Sequence, residues 1–175
     1  MNNLVQHLFC SDFIGLACKF HVSPSSCDNP THYEDYIRFS ACTDFKSGVG
    51  VTHILLDGEQ ARIAGFVTLR ATSLVSENEQ GTMNVHPAIE IAELAVDAEY
   101  EQKGVGTGLL NIAVDFSDSL RSTCIGIKHI VVCADPKAID FYKKFGFVDI
   151  SAVYEVLHDG WNDNCSALLM TLPEI

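Results

Sequence analysis

The segment EQKGVGTGLL, Glu101–Leu110, places three glycines within five positions and then becomes an apolar run. The preceding segment AIEIAELAV, residues 88–96, is rich in apolar and branched side chains, which predicts a strand. Beyond the glycines, apolar residues recur on one stripe, as is typical of an amphipathic helix that packs on a sheet. This stripe consists of Leu109, Leu110, Ala113, Phe116 and Leu120.

A glycine bend between a strand and a helix is an arrangement that binds anions. The first amides of a helix have no partners within it, and the helix dipole places partial positive charge there. Spacing excludes two nucleotide-binding motifs. A dinucleotide fingerprint starting at Gly104 requires a glycine where Leu109 stands, and the Gly-Lys-Ser or Gly-Lys-Thr of a P-loop is missing. A tight turn that binds nothing is the alternative interpretation.

Length and charge narrow the classes of function. The chain has 175 residues, 47% of them hydrophobic, which is enough for one core. No run of about 20 apolar residues predicts a membrane helix, so no membrane partner is expected. The formal net charge of -12 disfavours nucleic acid as a partner, because phosphates bind basic side chains. It favours a cationic partner, unless the acidity serves only solubility.

The cysteines and histidines do not predict a metal site. Seven cysteines occur at irregular spacings without a C-x-x-C pair, which indicates reduced thiols, most of them buried as small apolar residues. The histidines lack the H-x-x-x-H spacing or the carboxylate cluster of a metal centre. Since no basic leader precedes the apolar N-terminal segment, a signal peptide is not predicted, and the expected location is the cytoplasm.

Residues 1–48 predict N-terminal helices. Apolar residues between Leu8 and Cys18 recur near helical spacing, and the prolines of HVSPSSCDNP then interrupt the pattern. A second helix is predicted over HYEDYIRFSAC. Its predicted cap is Thr31, with Glu34 completing a capping box.

Residues 49–96 predict antiparallel strands, and residues 97–175 predict the helix after the glycines and the C-terminal strands. Two extended runs flank Asp57-Gly58, which is a strong hairpin pattern. The polar segment SENEQGTMNVHP, residues 76–87, predicts a loop. Further on, IKHIVVCA, FVDISAVYEV and CSALLMTL predict strands, and DPKAIDFYKKFGF predicts a short helix. The expected architecture is one mixed α/β (α+β) domain over residues 1–175.

The run ELAVDAEYEQKGVGTGLL and the later DPKAIDFYKKFGF together resemble the GNAT superfamily of N-acetyltransferases. The family's patterns are [Q/R]-x-x-G-x-[G/A] after a strand and A-x-x-F-Y-x-x-x-G-F. The resemblance is close over residues 89–147. It implies a largely antiparallel mixed sheet with splayed central strands and flanking helices. It also implies acetyl-CoA as cosubstrate and direct attack by a primary amine.

The resemblance also implies which residues bind acetyl-CoA. Main-chain amides of the glycine bend would hold the pyrophosphate. The end of the preceding strand would pair with the pantetheine, and one amide there would stabilise charge on the thioester oxygen. The residues concerned are Leu94, Ala95, Val96, Glu101, Gln102, Lys103, Gly104, Val105, Gly106, Thr107, Gly108, Asp135 and Tyr142.

Two of these positions depart from the family's pattern. Glu101 stands where the family has glutamine or arginine, and a carboxylate repels a pyrophosphate. Either this side chain points to solvent, or Gln102 and Lys103 compensate for its charge. Asp135 takes the place of an asparagine that contacts the coenzyme in many members.

Glu90 and Glu93 are the candidate bases, because a protonated amine must lose a proton before it attacks. The period of two in a strand places each carboxylate on an otherwise apolar face, where burial would raise its pKa toward a useful range. Resemblance to the histone-acetylating branch favours Glu90. Exposure at a sheet edge is the alternative for either glutamate.

Tyr142 is implied by the resemblance as the acid that protonates the leaving thiolate. A phenol suits this role, because its acidity is comparable with that of a thiol. The alternative is that Tyr142 only packs among neighbouring phenylalanines, of which FYKKFGF contains three.

Three hypotheses for the function remain open, of which two differ in the acceptor. The first is a small or peptide-borne amine of cationic character. The second rests on HPAIEIAELAVD, residues 86–97, which resembles a toxin-like branch that acetylates aminoacyl-tRNA, although the negative charge counts against it. The third is a non-catalytic acyl-CoA-binding module, which Glu101 would permit. Acceptor choice is expected from the N-terminal helices, residues 76–87 and HDGWND near Trp161. A homodimer through exposed strand ends is also expected.

Overall fold

The computed structural model describes residues 4–150, the backbone of 155–156, and residues 165–174. The described helices are α1 (Ile14–Ala17), α2 (Pro30–Asp35), α3 (Ala41–Ser47), α4 (Val105–Thr123) and α5 (Ile139–Lys144). The described strands are β1 (Leu4–Leu8), β2 (Val51–Asp57), β3 (Arg62–Glu77), β4 (Met83–Val96), β5 (His129–Ala134), β6 (Val148–Asp149), β7 (Glu155–Val156) and β8 (Ser166–Thr171). Short 3-10 segments lie at Ser11–Phe13, Ala98–Tyr100 and Pro136–Ala138, and a π-helical segment at Tyr36–Ser40 joins α2 to α3.

The described strands form one mixed sheet in the order β1-β2-β3-β4-β5-β8-β6, with β7 paired to β3. β1, β2 and β3 pair antiparallel, as do β5, β8 and β6. β4 and β5 pair in parallel over four residue pairs, from Ala88↔His129 to Ile91↔Val132. The predicted α/β (α+β) architecture, a largely antiparallel sheet with helices, is confirmed.

The chain divides into two compact units. The first unit contains Met1–Arg70 and Ala92–Ala113, and the second contains Ala71–Ile91 and Val114–Ile175. Strands β3 and β4 and helix α4 therefore contribute residues to both units. The organisation as a single domain stays a prediction.

Aromatic side chains form the core of the first unit. Phe66 of β3 lies 5.3 Å from the ring of Phe20 and 6.0 Å from that of Tyr36, measured between ring centroids. Burial of such side chains contributes about 2 to 3 kcal/mol each through the hydrophobic effect. The N-terminal segment is therefore fixed against the strands by packing on β3.

Gly65 of β3 allows α4 to pack closely on the sheet. A Cβ atom at this position would lie 2.9 Å from Leu109 Cδ1 and 3.0 Å from both Val105 Cγ1 and the carbonyl oxygen of Ala95. Any side chain here would force α4 away from β3. The absence of a side chain at Gly65 therefore fixes the position of the glycine bend that opens α4.

The helix predicted from Leu8 to Cys18 is wrong at its beginning. Residues 4–8 form β1, which pairs antiparallel with β2 from Leu4↔Asp57 to Leu8↔His53. Helical structure is confined to Ser11–Phe13 and Ile14–Ala17. Leu8 is half exposed, so its apolar side chain did not mark a buried helical face. Pairing with the backbone of β2 decided the conformation.

The second predicted helix begins two residues earlier than expected, at Pro30 in place of His32, and has a different cap. Asn29 is the N-cap, and its side-chain oxygen accepts from the amide of His32 at 3.3 Å. Pro30 occupies the first helical position, where its fixed φ suits a helix. The predicted capping box of Thr31 and Glu34 is therefore wrong. Glu34 accepts instead from the amide of Val22 at 3.0 Å.

The hairpin predicted around Asp57-Gly58 is confirmed as β2 and β3. The loop predicted over residues 76–87 is shorter than expected, because β3 continues to Glu77 and β4 begins at Met83. Asn78 closes this turn, since its amide donates to the Thr82 carbonyl at 3.0 Å and its side-chain oxygen accepts from the Thr82 amide at 2.9 Å.

The second unit contains the C-terminal strands. The strands predicted at IKHIVVCA and CSALLMTL are confirmed as β5 and β8, and the helix predicted in DPKAIDFYKKFGF is confirmed as α5. Of the strand predicted over FVDISAVYEV, residues 151–154 lie outside the described residues, and β6 and β7 form its ends.

The expectation that all cysteines are reduced is wrong for one pair. Cys133 of β5 and Cys165, the residue before β8, form a disulfide with their Cα atoms 5.4 Å apart. The antiparallel pairing of β5 with β8, in which Ala134 is opposite Ser166, brings the two positions together. A spacing of 32 residues along the chain gave no indication of this contact.

Candidate active site

The glycine bend leads directly into the 19-residue helix α4. Gln102 and Gly104 have positive φ angles of 58° and 80°, so the chain reverses in the left-handed region before Val105 begins the helix. Apart from the adjacent residues of the chain, no atom of the described residues lies within 4 Å of the position that a Cβ of Gly104 would occupy. The space in front of the first helical amides is thus open on this side.

The first turn of α4 fits an anionic group. The amide of Gly108 donates to the carbonyl of Gly104 at 3.0 Å, so the amides of Val105, Gly106 and Thr107 precede the first helical hydrogen bond. This turn contains no acidic residue. These amides therefore fit the pyrophosphate of coenzyme A.

Glu101 lies beside this turn in the sequence, and its side chain is not fully in solvent. Its Oε1 atom is buried without a hydrogen-bond partner among the described residues, so the expectation that the carboxylate points to solvent is wrong for this oxygen. Lys103 does not pair with it. The Lys103 ammonium donates to the Glu99 carbonyl at 2.6 Å and lies 5.2 Å from the centre of the Tyr100 ring. Gln102 is exposed.

The end of β4 contains Leu94, Ala95 and Val96. The parallel register with β5 ends at Ile91, whereas β4 continues for five more residues to Val96. A strand that outlasts its parallel pairing is what a splayed central sheet requires. The main chain of these three residues is therefore the segment that fits an extended pantetheine arm.

Asp97 fixes the end of β4 within the first unit. Its fully buried carboxylate accepts from the main-chain amides of His21 at 3.1 Å and Glu99 at 3.0 Å, and from the guanidinium of Arg62 at 3.2 Å. The main-chain amide of Ala98 also donates to the His21 carbonyl at 2.8 Å. Sequence patterns gave no indication of this role for Asp97.

A second buried aspartate positions the chain just before the glycine bend. The Tyr100 hydroxyl donates to Asp57 Oδ2 at 2.8 Å, and Asp57 Oδ1 accepts from the Glu59 amide at 3.0 Å. Burial, together with the Asp57 carboxylate, raises the pKa of Tyr100 to about 12. Tyr100 is thus a neutral structural donor. The Asp57-Gly58 turn was the basis for predicting a hairpin. Its aspartate also binds Tyr100 and so fixes the chain before the glycine bend.

Glu93 is the predicted base that the structure places in the first unit, and it is paired with a histidine that the sequence did not predict. His32 Nε2 lies 3.0 Å from both carboxylate oxygens of Glu93. The Glu93 side chain is 11% exposed, whereas that of His32 is 51% exposed. The hydrogen bond that His32 donates to the Glu93 carboxylate raises the pKa of His32 above its usual 6.5, against the effect of burial.

His32 lines an open depression on the surface of the first unit. Polar and aromatic side chains of α2 and the π-helical segment that follows it surround this depression. The residues that line it are Asn29, Thr31, His32, Asp35, Tyr36, Phe39 and Ser40. The imidazole of His32 and the carboxylate of Asp35 thus line the same depression.

Glu90 belongs to the second unit. It pairs in register with Val131 of β5 and is 2% exposed. The alternative that Glu90 reaches solvent at an exposed edge is therefore wrong, because β4 is an interior strand at this point. Exposure is also limited for Glu93, so both glutamates lie on largely covered faces, as the alternation of the strand predicted.

Tyr142 and Asp135 also belong to the second unit. Tyr142 is 5% exposed, and its ring contacts those of Phe141 and Phe147 edge-on, at 5.2 and 5.4 Å between centroids. Packing therefore fixes the orientation of this ring. Asp135 accepts from the main-chain amide of Lys137 at 2.9 Å and caps the 3-10 segment before α5.

The candidate residues thus form two groups. The first unit contains the candidate base Glu93, the end of β4 and the whole glycine bend, residues 93–108. The second unit contains Glu90, Asp135 and Tyr142. The HDGWND segment around Trp161, which the sequence assigned to acceptor choice, lies outside the described residues.

Two further observations concern membranes and metals. Among the described residues, none of the helices is long and apolar enough to cross a bilayer. A cluster of three or more histidine, cysteine, aspartate or glutamate side chains suited to a metal ion does not occur in the described part of the chain.

Comparison with known proteins identifies the family. The sequence profile of the Acetyltransferase (GNAT) family matches residues 10–147. The search of curated proteins gave no match.

Several solved structures have the same fold over nearly the whole chain. A tyrosine-to-phenylalanine mutant of KacT is 15% identical with a TM-score of 0.74, and the match covers 96% of this chain and 94% of that one. AtaT complexed with acetyl-methionyl-tRNAfMet is 18% identical with a TM-score of 0.73, covering 97% and 95%. AtaTR bound with acetyl-CoA is 22% identical with a TM-score of 0.68, covering 98% and 94%. AtaT is described as a toxin.

The family match covers most of the chain, and the open first turn of α4 and the extended end of β4 fit acetyl-CoA. The protein is an acyltransferase with acetyl-CoA as its cosubstrate, and the chain belongs to the acetyltransferase (GNAT) family.

Proposed function

We propose that this acetyltransferase transfers the acetyl group to a primary amine of a cationic small molecule or peptide by direct attack. The observation that carries this proposal is the depression in the first unit, which exposes Asp35 and the His32 ring bound to Glu93. The Asp35 carboxylate in this depression attracts an ammonium group. The net charge of -12 acts in the same direction at longer range.

Acetyl-CoA supplies an activated acetyl thioester when it is bound. The amides of Val105, Gly106 and Thr107 are suited to its pyrophosphate, because they lie at the positive end of a 19-residue helix and precede its first hydrogen bond. The main chain of Leu94–Val96 is suited to the pantetheine, and one amide there to the thioester oxygen. We assign Asp135 a structural role as a cap, in preference to direct contact with the coenzyme.

The proton transfers require a base and an acid. The candidate bases are Glu90 and Glu93, and Glu93 is favoured because its partner His32 reaches an open surface. Tyr142 is the candidate acid for the leaving thiolate. Its ring is held by two phenylalanines, which is the fixed orientation that a proton donor needs.

A turnover screen tests the proposed acceptor class. Release of free thiol from acetyl-CoA would be measured with spermidine, an aminoglycoside, free amino acids and peptides with a free N-terminus. We expect release to depend on the amine, to be fastest with polycations and to weaken with salt, because exposed charges are screened. Asp35→Asn should raise KM for the polycation, whereas Glu59→Gln, an exposed change of equal charge, should not. Equal rates for neutral amines and polycations would contradict the cationic class.

A second candidate acceptor is the amino group of aminoacyl-tRNA. Two observations favour it: the similarity of the fold to AtaT in complex with acetyl-methionyl-tRNAfMet, and the toxin-like segment at residues 86–97. The net charge opposes binding of a polyanion. Radiolabelled acetyl-CoA incubated with aminoacyl-tRNA decides between the candidates. Labelled tRNA, together with arrest of translation on expression, would establish the toxin-like activity in place of the small-amine activity.

A further inference from the structure

The contact between His32 and Glu93 joins two distant parts of the first unit. His32 lies on α2 and Glu93 on β4, 61 residues apart in the chain. The covered carboxylate holds Nε2 of the ring with both of its oxygens, each at 3.0 Å. Because the carboxylate lies on the inner side and the ring is half exposed, the pair is oriented from the strand toward the surface.

The two ring nitrogens of His32 have different surroundings. Nε2 is bound by the carboxylate, which fixes the proton on this nitrogen in the neutral ring. Nδ1 has no hydrogen-bond partner within residues 4–150 and 165–174. In the neutral ring Nδ1 therefore carries a lone pair. This is the arrangement of an oriented base, in which one nitrogen is held by a carboxylate and the other can accept a proton.

The charged groups that act on the His32 ring are both anionic. Glu93 faces it from β4, and Asp35 acts on it from the same helix. The ring of Tyr33 contacts that of His32 edge-on at 5.2 Å and limits its movement. The two carboxylates stabilise the imidazolium and thereby raise the pKa of the ring toward neutral pH. A general base is most effective when its pKa lies near the working pH.

We propose that His32 is the general base that deprotonates the acceptor amine in the surface depression, with Glu93 as the residue that positions it. This inference rests on the proposed function and deepens it, since it names the proton acceptor and the place where the amine binds. The alternation of residues in β4 indicated a carboxylate as the base. The structure places an imidazole between that carboxylate and the open surface.

The proton balance of this step is complete. The ammonium form of the acceptor gives one proton to Nδ1 of His32, and the free amine forms the new C–N bond to the acetyl carbon as the C–S bond breaks. The second proton of the nitrogen passes to water. Tyr142 donates its phenolic proton to the coenzyme A thiolate and takes a proton back from water. His32 then releases its proton to water, so each turnover yields an amide, a thiol and one proton.

The first unit offers a matched control in a second histidine–glutamate pair. His21 Nδ1 lies 2.6 Å from Glu34 Oε1. Glu34 also accepts from the Val22 amide and from Arg38 Nη2 at 3.4 Å. Its contacts thus hold the backbone and helix α2 in place, and His21 is absent from the lining of the depression. His21→Gln therefore removes a similar pair without touching the proposed base.

An NMR titration of the histidine rings tests the pair in the absence of any substrate. We expect the His32 ring of the wild-type protein to titrate above 6.5, and its pKa to fall in Glu93→Gln. It should not change in His21→Gln. A His32 pKa that is the same in wild-type protein and Glu93→Gln would overturn the pairing.

The pH profile of kcat tests the catalytic role, with acetyl-CoA and spermidine as the first probe and the other amines of the screen in turn. His32→Gln should lower kcat by about 100-fold, while binding of coenzyme A by calorimetry stays as in the wild type. Glu93→Gln should move the ascending limb of the profile to lower pH. In His21→Gln the ascending limb of the pH profile should lie at the same pH as in the wild type. Added imidazole should restore activity to His32→Ala.

The outcomes distinguish this inference from the proposed function. If the wild-type protein acetylates an amine and the ascending limb is the same in His32→Gln, the base is another group and the inference is wrong. If no amine is acetylated, the proposed function is wrong, and His32 has no role as its base. A merely structural role for His32 would lower the thermal stability of His32→Gln without moving the limb in Glu93→Gln.

Discussion

The buried carboxylate oxygen of Glu101 lies in the chain just before the proposed pyrophosphate site. It has no hydrogen-bond partner among the described residues, and the nearby Lys103 is bound to Glu99 instead. Its negative charge is therefore not compensated by that lysine. At this position the family usually has glutamine or arginine, which do not repel an anion.

Glu101→Gln should tighten the binding of coenzyme A. Removal of one like charge close to a pyrophosphate is worth on the order of 1 kcal/mol, which is about fivefold in Kd. Isothermal titration calorimetry measures the change. Glu59→Gln is the control, because it removes an exposed charge of the first unit. Equal tightening in both variants would mean that only the net charge matters.

Tyr142→Phe should lower kcat by on the order of 100-fold with little loss of stability. Phenylalanine keeps the ring that packs between Phe141 and Phe147, and only the hydroxyl is lost. Steady-state kinetics and thermal melting measure the two effects. Tyr100→Phe should behave differently. It removes the hydroxyl that donates to Oδ2 of buried Asp57, and the free energy of unfolding should fall by about 1 to 3 kcal/mol. An unchanged kcat in Tyr142→Phe would leave packing as its only role.

At the scale of the secondary-structure elements, the glycine bend depends on a left-handed residue immediately before α4. Gly104→Ala should lower the free energy of unfolding by about 1 to 2 kcal/mol, because a Cβ disfavours a φ of 80°. Within the described part of the chain, no atom beyond the adjacent residues lies within 4 Å of the added methyl group, so the cost comes from the backbone conformation. Binding of coenzyme A should weaken as the amides shift.

Gly126→Ala is the matched control for Gly104→Ala. Its Cβ would also meet no atom within 4 Å, but its φ is not positive. Denaturant unfolding should show a change within about 0.5 kcal/mol for this variant. A comparable loss of stability in both variants would refute the role of the left-handed bend.

The sequence was sufficient to predict elements whose patterns are local. The alternation in AIEIAELAV predicted the buried end of β4, and the apolar stripe from Leu109 to Leu120 predicted α4. Strand β1 was missed because its conformation depends on pairing with β2, more than 40 residues away. The cap Asn29 was missed because Thr31 and Glu34 have the spacing of a capping box, whereas Pro30 fixes an earlier start.

The same distinction applies to the candidate site. Burial of Glu90 and Glu93 on apolar faces was predictable from the period of two in β4. The His32–Glu93 contact was not, because no local pattern marks a histidine whose partner lies 61 residues away. Burial of the Glu101 Oε1 atom likewise depends on the tertiary structure around the glycine bend, which no local pattern indicates. Residue types and spacing thus predict which groups are available, and tertiary packing decides their partners.

At the scale of the whole molecule, acid should destabilise the protein through buried histidines. Burial, with Lys128 and His86 nearby, lowers the pKa of His129 from 6.5 to about 4, and burial also lowers that of His53. Between pH 6.5 and 4 the unfolded chain therefore binds protons that the folded protein does not. Stability is fully present above about pH 6.5 and falls as the pH decreases toward 4.

Thermal melting between pH 4 and 8 measures this dependence. His129→Asn keeps a polar atom near Thr171 Oγ1, which lies 3.1 Å from Nδ1 of the wild-type ring. This variant should melt with a flatter dependence on pH below 6.5. An equally steep decline in His129→Asn would assign the acid sensitivity to other groups.

The contacts of Asp97 determine which parts of the first unit can be exchanged by engineering. This aspartate and the following Ala98 hold residue 21 only through its main-chain amide and carbonyl, so they do not depend on which side chain stands there. A segment grafted from another enzyme between β1 and α2 would stay anchored as long as its backbone follows the same path and Arg62 is retained. Exchange of whole loops in this part of the chain should therefore be tolerated without disturbing β4, the strand that we propose meets the thioester.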